Sequence, residues 1–103
     1  MSLPASEPTI PQLFSLRGKV ALITGGCGHL GSAMGRGLAE AGASVILTSR
    51  DEGKAKEAAA LLPKGDGNTH YGLALDPMQP ETLPASFAGA VALAGQVDVL
   101  VNN

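Results

Sequence analysis

The sequence is poor in aromatic residues and in cysteine. Its 103 residues include no tryptophan, one tyrosine and two phenylalanines, so we expect a core of alanine, valine, leucine and isoleucine. The single cysteine, Cys27, excludes an internal disulfide and a cysteine-rich metal site, and it suits a reducing compartment. No apolar run reaches the roughly 18–20 residues that a bilayer-spanning helix needs.

The net charge of the chain is also small. The formal net charge of −2 at pH 7 gives no reason to expect nucleic acid or an anionic membrane as a partner. Residues 1–15 are proline-containing, and they lack the basic and apolar regions of a signal peptide. We therefore expect a cytoplasmic protein with a flexible arm over residues 1–15 and one domain over residues 16–103.

Four short apolar runs alternate with three helical patterns. The runs are "KVALIT" from residue 19, "SVILTS" from residue 44, "THYGLAL" from residue 69 and "VDVLV" from residue 97. Short, nearly continuous apolar runs indicate strands that are buried on both faces. The order β-α-β-α-β-α-β predicts an α/β fold, the first half of a doubly wound parallel sheet.

Local patterns predict how the helices begin and pack. Ser49 and Glu52 have the spacing of a capping box at the start of the second helix. Gly72 is a weak point in the third strand. The residues expected to face the sheet are Leu30, Met34, Leu38 and Ala41 in the first helix, and Leu83, Phe87, Ala90, Val91 and Ala94 in the third.

The stretch "TGGCGHLG", residues 24–31, holds four glycines between the first strand and the first helix. Ligands of parallel sheets bind at this carboxyl edge. Glycines leave backbone N–H groups accessible, and a helix N-terminus favours an anion. A tight strand-to-helix turn would also use glycines, but the strand–loop–helix setting favours a dinucleotide diphosphate.

Two charged residues follow the second strand, where the adenosine ribose of a dinucleotide binds. An acidic side chain there suits the ribose hydroxyls of NAD, whereas arginine suits the 2′-phosphate of NADP. Because Arg50 is the first residue after the strand, the sequence favours NADP as the cofactor. Asp51, which follows it, leaves NAD as the alternative. A solvated charge pair at a helix start is the structural alternative.

Four features together resemble the short-chain dehydrogenase/reductase family: "GKVALITGG", "TSR", Asp76 and "VDVLVNN". The resemblance covers residues 16–103 and implies the N-terminal half of a Rossmann-type NAD(P)-binding domain that ends after the fourth strand. It implies that Asp76, with Leu75 beside it, contacts adenine. It also implies that Asn102 and Asn103 stabilise the central sheet and line the cofactor pocket. The predicted cofactor-binding residues are Thr24, Gly25, Gly28, His29, Leu30, Gly31, Arg50, Leu75, Asp76, Asn102 and Asn103.

One loop position departs from the family's classical branch, which has glycine where this chain has His29. The spacing Thr-Gly-x-x-Gly-x-x-Gly is typical of the extended branch, which includes nucleotide-sugar epimerases and dehydratases. The longer matches on either side favour the classical branch. The His29 side chain either donates a hydrogen bond to the diphosphate or points to solvent.

The resemblance also implies which chemistry this chain lacks. Hydride transfer in the family uses a serine, a tyrosine and a lysine four residues after the tyrosine. Here Leu75 follows Tyr71 at that spacing, so we expect no catalytic residues and no activity from this chain alone. The parent is expected to be a homo-oligomeric oxidoreductase that interconverts a small alcohol and a carbonyl compound. A non-catalytic, truncated nucleotide-binding module is the alternative.

Overall fold

A computed structural model describes residues 7–65 and 67–103. It contains four strands and three long helices in the predicted alternating order, with two short helical turns. The elements are α1 (Ile10–Leu13), β1 (Val20–Ile23), α2 (His29–Glu40), β2 (Ser44–Ser49), α3 (Glu52–Ala60), β3 (Tyr71–Ala74), a 3₁₀ turn (Pro80–Thr82), α4 (Leu83–Ala94) and β4 (Val99–Val101).

The four strands form one parallel sheet in the order β3-β2-β1-β4. The chain moves outward from β1 through β2 to β3, and then returns to place β4 on the other side of β1. Helices α2 and α3 contribute to a core cluster on one face, and α4 contributes to a cluster on the other. The predicted doubly wound α/β fold is confirmed. Its order reverses between β1 and β4, the point where such sheets bind ligands.

Alternating side chains of the central strands supply both core clusters. Ile23 and Leu47 pack beneath α2 and α3, whereas Leu22 and Ile46 pack beneath α4. All four side chains are at most 1% exposed. The continuous apolar runs of β1 and β2 thus reflect strands covered on both faces, as the sequence predicts. The same prediction is wrong for β3 and β4, which lie at the two edges of the sheet and are only partly buried, with Leu100 61% exposed.

Helix α2 meets the sheet through a different stripe from the predicted one. Leu30 is 65% exposed, and the buried residues are Gly31, Gly35 and Ala39. Small residues let the helix axis lie close to β2, so that a Cβ atom at Gly35 would stand 3.1 Å from the Leu47 side chain. Met34 and Leu38 flank this contact and pack against the same cluster. The prediction for Leu30 is wrong because the helix packs through its small residues, and the large apolar residue at the same helical spacing faces solvent.

Helix α4 buries less of its predicted stripe than expected. Ala90 is fully buried and Ala94 packs beside it, but Phe87 is 47% exposed and Val91 is also exposed. Gly95 ends the helix in the left-handed conformation.

The cap of α3 is also different from the predicted one. Strand β2 extends through Ser49, and Asp51 is the N-cap residue, whose Oδ1 accepts a hydrogen bond from the N–H of Lys54 at 3.2 Å. The Ser49 hydroxyl instead accepts the N–H of Asp51 at 3.2 Å. The capping box predicted for Ser49 and Glu52 is therefore wrong, because the helix begins two residues later than Ser49 would require.

Gly72 is a close-packing position rather than a weak point. It lies in β3 beneath α3, where an added Cβ atom would overlap the backbone of Ala55 and Lys56. No side chain larger than hydrogen fits between this strand and this helix. The glycine therefore sets the distance between the two elements.

The amino ends of β1 and β4 are joined through Asp98. Its carboxylate accepts the N–H of Val20 at 2.8 Å and the side-chain amide of Gln96 at 2.7 Å. The hydrogen bond from Val20, followed by that from Gln96, holds the pKa of Asp98 below its ordinary value of 3.8. This carboxylate fixes the start of β4 against the start of β1.

The described part of the N-terminal arm contains one helical turn. Helix α1 has a capping box in which Thr9 and Gln12 bond each other's backbone N–H groups. Residues 1–6 of the predicted arm lie outside the described residues. None of the described helices combines the length and the apolar character that crossing a membrane would require.

Candidate functional site

A cleft of about 750 Å³ opens at the carboxyl edge of the sheet. Loops after all four strands contribute to it, because the carboxyl ends of parallel strands meet at one edge. Of the predicted site residues, the structure brings eight together along its wall: Thr24, Gly25, Gly28, Arg50, Leu75, Asp76, Asn102 and Asn103. The side chains of His29 and Leu30, and Gly31, do not line the cleft.

The end of β4 holds the start of the glycine-rich loop. The Thr24 hydroxyl donates to Oδ1 of Asn102 at 3.2 Å and accepts the N–H of Asn103 at 3.0 Å. The Asn103 side-chain amide donates to the carbonyl of Gly25 at 3.1 Å. Gly25 has φ of 62°, a conformation that other residues rarely adopt. The two asparagines therefore fix the loop at the point where it leaves the sheet.

The carbonyl groups of the loop turn toward donors in the protein. The Gly26 carbonyl accepts the Ser32 hydroxyl at 3.1 Å, and the Gly28 carbonyl accepts the Ser32 N–H at 2.8 Å. On the other side, the Gly26 N–H donates to the carbonyl of Thr48 at 3.0 Å. With the Gly25 carbonyl, which accepts the Asn103 amide, three carbonyl oxygens of the loop therefore accept hydrogen bonds from the protein.

Three backbone N–H groups at the end of the loop and the start of α2 are left available. Helix α2 begins after Gly28, which has no side chain to cap it. Within residues 7–65 and 67–103, no protein acceptor receives the backbone N–H of Cys27, His29 or Leu30. Free N–H groups at a helix N-terminus form a concave, electropositive site for an anion. His29 and Leu30 can thus serve the site through their backbones while their side chains are exposed.

Gly31 lies beneath the loop. A Cβ atom at this position would overlap the Gly25 carbonyl oxygen, approach the Gly26 Cα atom to 2.8 Å and approach the Asn103 amide nitrogen to 3.0 Å. Two of these three neighbours are backbone atoms of the loop, which cannot move aside without changing its shape. Gly31 therefore shapes the site without lining it.

A donor-rich corner follows β2. The exposed Arg50 lines the cleft, and neither of the two ion pairs among the described residues includes it. Ser49 also lines the cleft, and its oxygen already accepts a backbone N–H, so its own proton is available for donation. Asp51 does not line the cleft, and its carboxylate caps α3. At this corner, two donors line the cleft, Ser49 and Arg50, and no carboxylate does.

The far side of the cleft is apolar and carries one carboxylate. Oδ1 of Asp76 accepts the N–H of Met78 at 2.9 Å, which fixes the turn after β3, and the second oxygen has no donor among the described residues. Leu75 lies beside it. The other apolar residues of the wall are Leu22, Pro77, Met78, Leu83, Phe87 and Leu100. Such a surface suits a flat, mostly apolar ring with one amino group.

Sequence reasoning missed several of these residues. Ser49 was predicted to cap a helix, and Cys27 was not among the predicted site residues, yet both line the cleft. Thr48 is fully buried, and its hydroxyl donates to the Ile23 carbonyl at 3.0 Å. A polar residue at the last positions of a buried strand was the available signal for Thr48 and Ser49. Nothing in the pattern distinguished Ser32.

The family model described as "short chain dehydrogenase" matches residues 19–103. The chain belongs to the short-chain dehydrogenase family. Among curated relatives, the 3-oxoacyl-[acyl-carrier-protein] reductase FabG of Vibrio cholerae is 39% identical over 89 residues, which cover 86% of this chain and 35% of that protein. The chain thus spans about a third of the length of the family members it matches.

Solved structures agree with the short-chain dehydrogenase assignment. The Pseudomonas aeruginosa RhlG/NADP active-site complex matches 87% of this chain and 36% of its own, with 34% identity and a TM-score of 0.72. The Brucella melitensis 3-ketoacyl-(acyl-carrier-protein) reductase complexed with NADH matches 84% of this chain and 34% of its own, with 35% identity and a TM-score of 0.71. One of these family members was solved with NADP and the other with NADH.

Proposed function

We propose that this chain is the cofactor-binding portion of a nicotinamide-dependent oxidoreductase that interconverts an alcohol and a carbonyl compound. The observation that supports this proposal best is the hydrogen-bonding state of the backbone groups in the glycine-rich loop. Three of its carbonyl groups are bound by the protein, and among residues 7–65 and 67–103 nothing accepts the N–H groups at the start of α2. A dinucleotide diphosphate is an anion of suitable size and charge for these donors.

The rest of the cleft suits the rest of the dinucleotide. Asp76 has a free carboxylate oxygen that can accept a hydrogen bond from the adenine amino group, and Leu75 offers an apolar surface beside it. Asn102 and Asn103, near the loop, line the path toward the nicotinamide end. When bound, the nicotinamide ring would carry the hydride. The residues described here bind and orient the cofactor.

We favour NADP over NAD because of the corner after β2. Arg50 forms no ion pair with any residue in the described part of the chain, and Ser49 has a proton to donate, which suits a phosphate that only accepts hydrogen bonds. Asp51, the carboxylate that could bind the ribose hydroxyls of NAD, already caps α3. The NADP and NADH complexes of related proteins support a nicotinamide dinucleotide without favouring either.

The relatives support an alcohol–carbonyl reaction more than the reactions of the extended branch. FabG is a reductase by name, whereas the case for an epimerase or dehydratase rests on the loop spacing around His29. Tyr71 packs against the α4 side of the sheet, away from the cleft, so we expect no hydride transfer from these residues alone. The small-molecule substrate, the homo-oligomeric state and the cytoplasmic location of the whole protein stay predictions from the sequence.

Binding measurements on the full chain test the proposal. Calorimetric titration with NADPH and NADH should show tighter binding of NADPH. The variant Arg50→Asp should lose about 10- to 100-fold in NADPH affinity, the equivalent of a charge-assisted hydrogen bond worth roughly 1.5–3 kcal/mol, and little in NADH affinity. Lys54→Asp is the matched control, because it makes the same charge change on α3 at a residue that does not line the cleft.

The outcomes separate the two parts of the proposal. A chain that binds neither dinucleotide would refute the function. A chain that binds both, with an affinity ratio that Arg50→Asp leaves unchanged, would remove Arg50 from the site and end the preference for NADP. Equal effects of the Arg50 and Lys54 variants would mean that long-range charge, not contact, selects the cofactor.

A further inference from the structure

Ser32 makes a contact that its position in a helix does not require. A serine inside a helix ordinarily bonds the carbonyl three or four residues earlier. The Ser32 hydroxyl instead reaches back six residues, to the carbonyl of Gly26 at 3.1 Å, while its N–H bonds the Gly28 carbonyl at 2.8 Å. One residue in the second turn of α2 thus holds two carbonyl groups of the loop.

The direction of the Gly26 carbonyl matters for an anion. Gly26 is buried and is held on both sides. Its N–H donates to the Thr48 carbonyl in β2 at 3.0 Å, and its carbonyl accepts the Ser32 hydroxyl of α2. The next N–H along the chain belongs to Cys27, which lines the cleft and has no protein acceptor among the described residues. Because the Gly26 carbonyl and the Cys27 N–H belong to one planar peptide group, a bond that fixes the carbonyl also fixes the N–H in the opposite direction.

We propose that Ser32 is a positioning residue for the diphosphate. By binding the Gly26 carbonyl, its hydroxyl orients the peptide group between Gly26 and Cys27 so that the N–H of Cys27 is presented to the phosphate oxygens. Ser32 does not line the cleft, so it would act through the loop and not by contact with the cofactor. This inference rests on the proposed function. It predicts that Ser32 contributes to affinity for the diphosphate and not for the adenosine part of the dinucleotide.

The test compares two ligands that differ in the diphosphate. NADP⁺ contains it, whereas adenosine 2′-monophosphate contains the adenine, the ribose and the 2′-phosphate without it. Titrations of the full chain with Ser32→Ala should show an NADP⁺ affinity lowered by roughly 3- to 10-fold, the effect of one hydrogen bond, and an unchanged affinity for adenosine 2′-monophosphate. Ser32→Thr keeps the hydroxyl and should restore NADP⁺ binding.

Two further variants keep the test decisive. Ser32→Cys keeps the size of the side chain with a much weaker donor, and it should behave like the alanine variant even where alanine perturbs folding. Ser86→Ala makes the same change in α4, at a serine for which the described residues provide no hydrogen-bond partner and which does not line the cleft. It should leave both affinities unchanged.

Each outcome bears on the role of Ser32. A selective loss of NADP⁺ affinity that threonine restores supports it. Unchanged affinities, or equal losses for both ligands, overturn it, because the effect would then be absent or general. A wild-type chain that binds neither ligand would refute the proposed function itself, and the role of Ser32 with it. A wild-type chain that binds both, with unaltered NADP⁺ binding in the serine variants, would refute Ser32 alone.

Discussion

Alanine at Gly31 should give a less stable chain than alanine at Gly37, although both glycines lie in α2. A Cβ atom at Gly37 meets nothing within 4 Å, whereas a Cβ atom at Gly31 meets the backbone of the loop. Both substitutions gain helix propensity, up to about 1 kcal/mol each. Only Gly31→Ala must also displace the loop, so the pair isolates the cost of that contact.

The magnitude follows from what must move. An extra carbon in a closely packed site costs about 1–3 kcal/mol when backbone atoms have to shift. Gly37→Ala should therefore be more stable than the wild type by up to about 1 kcal/mol, and Gly31→Ala should lie about 1–3 kcal/mol below Gly37→Ala. At about 4–8 °C per kcal/mol for a domain of this size, the melting temperatures of the two variants should differ by at least about 4 °C.

Urea unfolding followed by far-ultraviolet circular dichroism measures this difference, since the chain has no tryptophan to report by fluorescence. The slope of the unfolding free energy against urea should be the same for both variants. Gly31→Ala should also weaken NADP⁺ binding, and Gly37→Ala should not. Equal stabilities of the two variants would contradict the reasoning, because the loop would then have room for a side chain.

Two other residues give separate tests. Gly72→Ala should lower the free energy of unfolding by about 1–3 kcal/mol, because the new Cβ atom overlaps the backbone at Lys56. Urea unfolding measures this loss. Gly89→Ala is the control, because its Cβ atom would meet its nearest neighbour at 3.8 Å. The Val20 N–H lowers the pKa of Asp98, so the stability that this carboxylate contributes is present above the ordinary pKa and is lost as the pH falls through the lowered value. Stability measured below about pH 4 should therefore fall more steeply in the wild type than in Asp98→Asn, and parallel curves would contradict this assignment.

The sheet and the location of the site could be predicted because both depend on local pattern. Buried parallel strands need continuous apolar runs, so "VALI" in β1 and "SVILTS" in β2 were recognisable. The carboxyl ends of such strands lie at the same edge of the sheet, so chain order alone predicts that Thr24, Arg50 and Asp76 lie along one edge. These deductions need only chain order and the geometry of parallel sheets.

What could not be predicted depends on distances between elements. Leu30 was assigned to the packed stripe because large apolar residues usually mark it, but α2 approaches the sheet through Gly31 and Gly35. Ser49 and Asp51 are both good caps by type, and only the actual end of β2 decides between them. The hydroxyl of Ser32 reaches a carbonyl six residues away, a contact outside the ordinary helical spacings.

The hydrogen bonds from Asn103 to Thr24 and Gly25 join residues 79 and 78 positions apart in the chain. Contacts of such large sequence separation form late, because the entropy of closing the intervening loop must be overcome first. The glycine-rich loop is encoded near the start of the chain, yet we expect it to reach the shape described above only after β4 has docked. Dinucleotide binding by this chain should therefore report the completion of folding, and not the earlier pairing of β1 with β2.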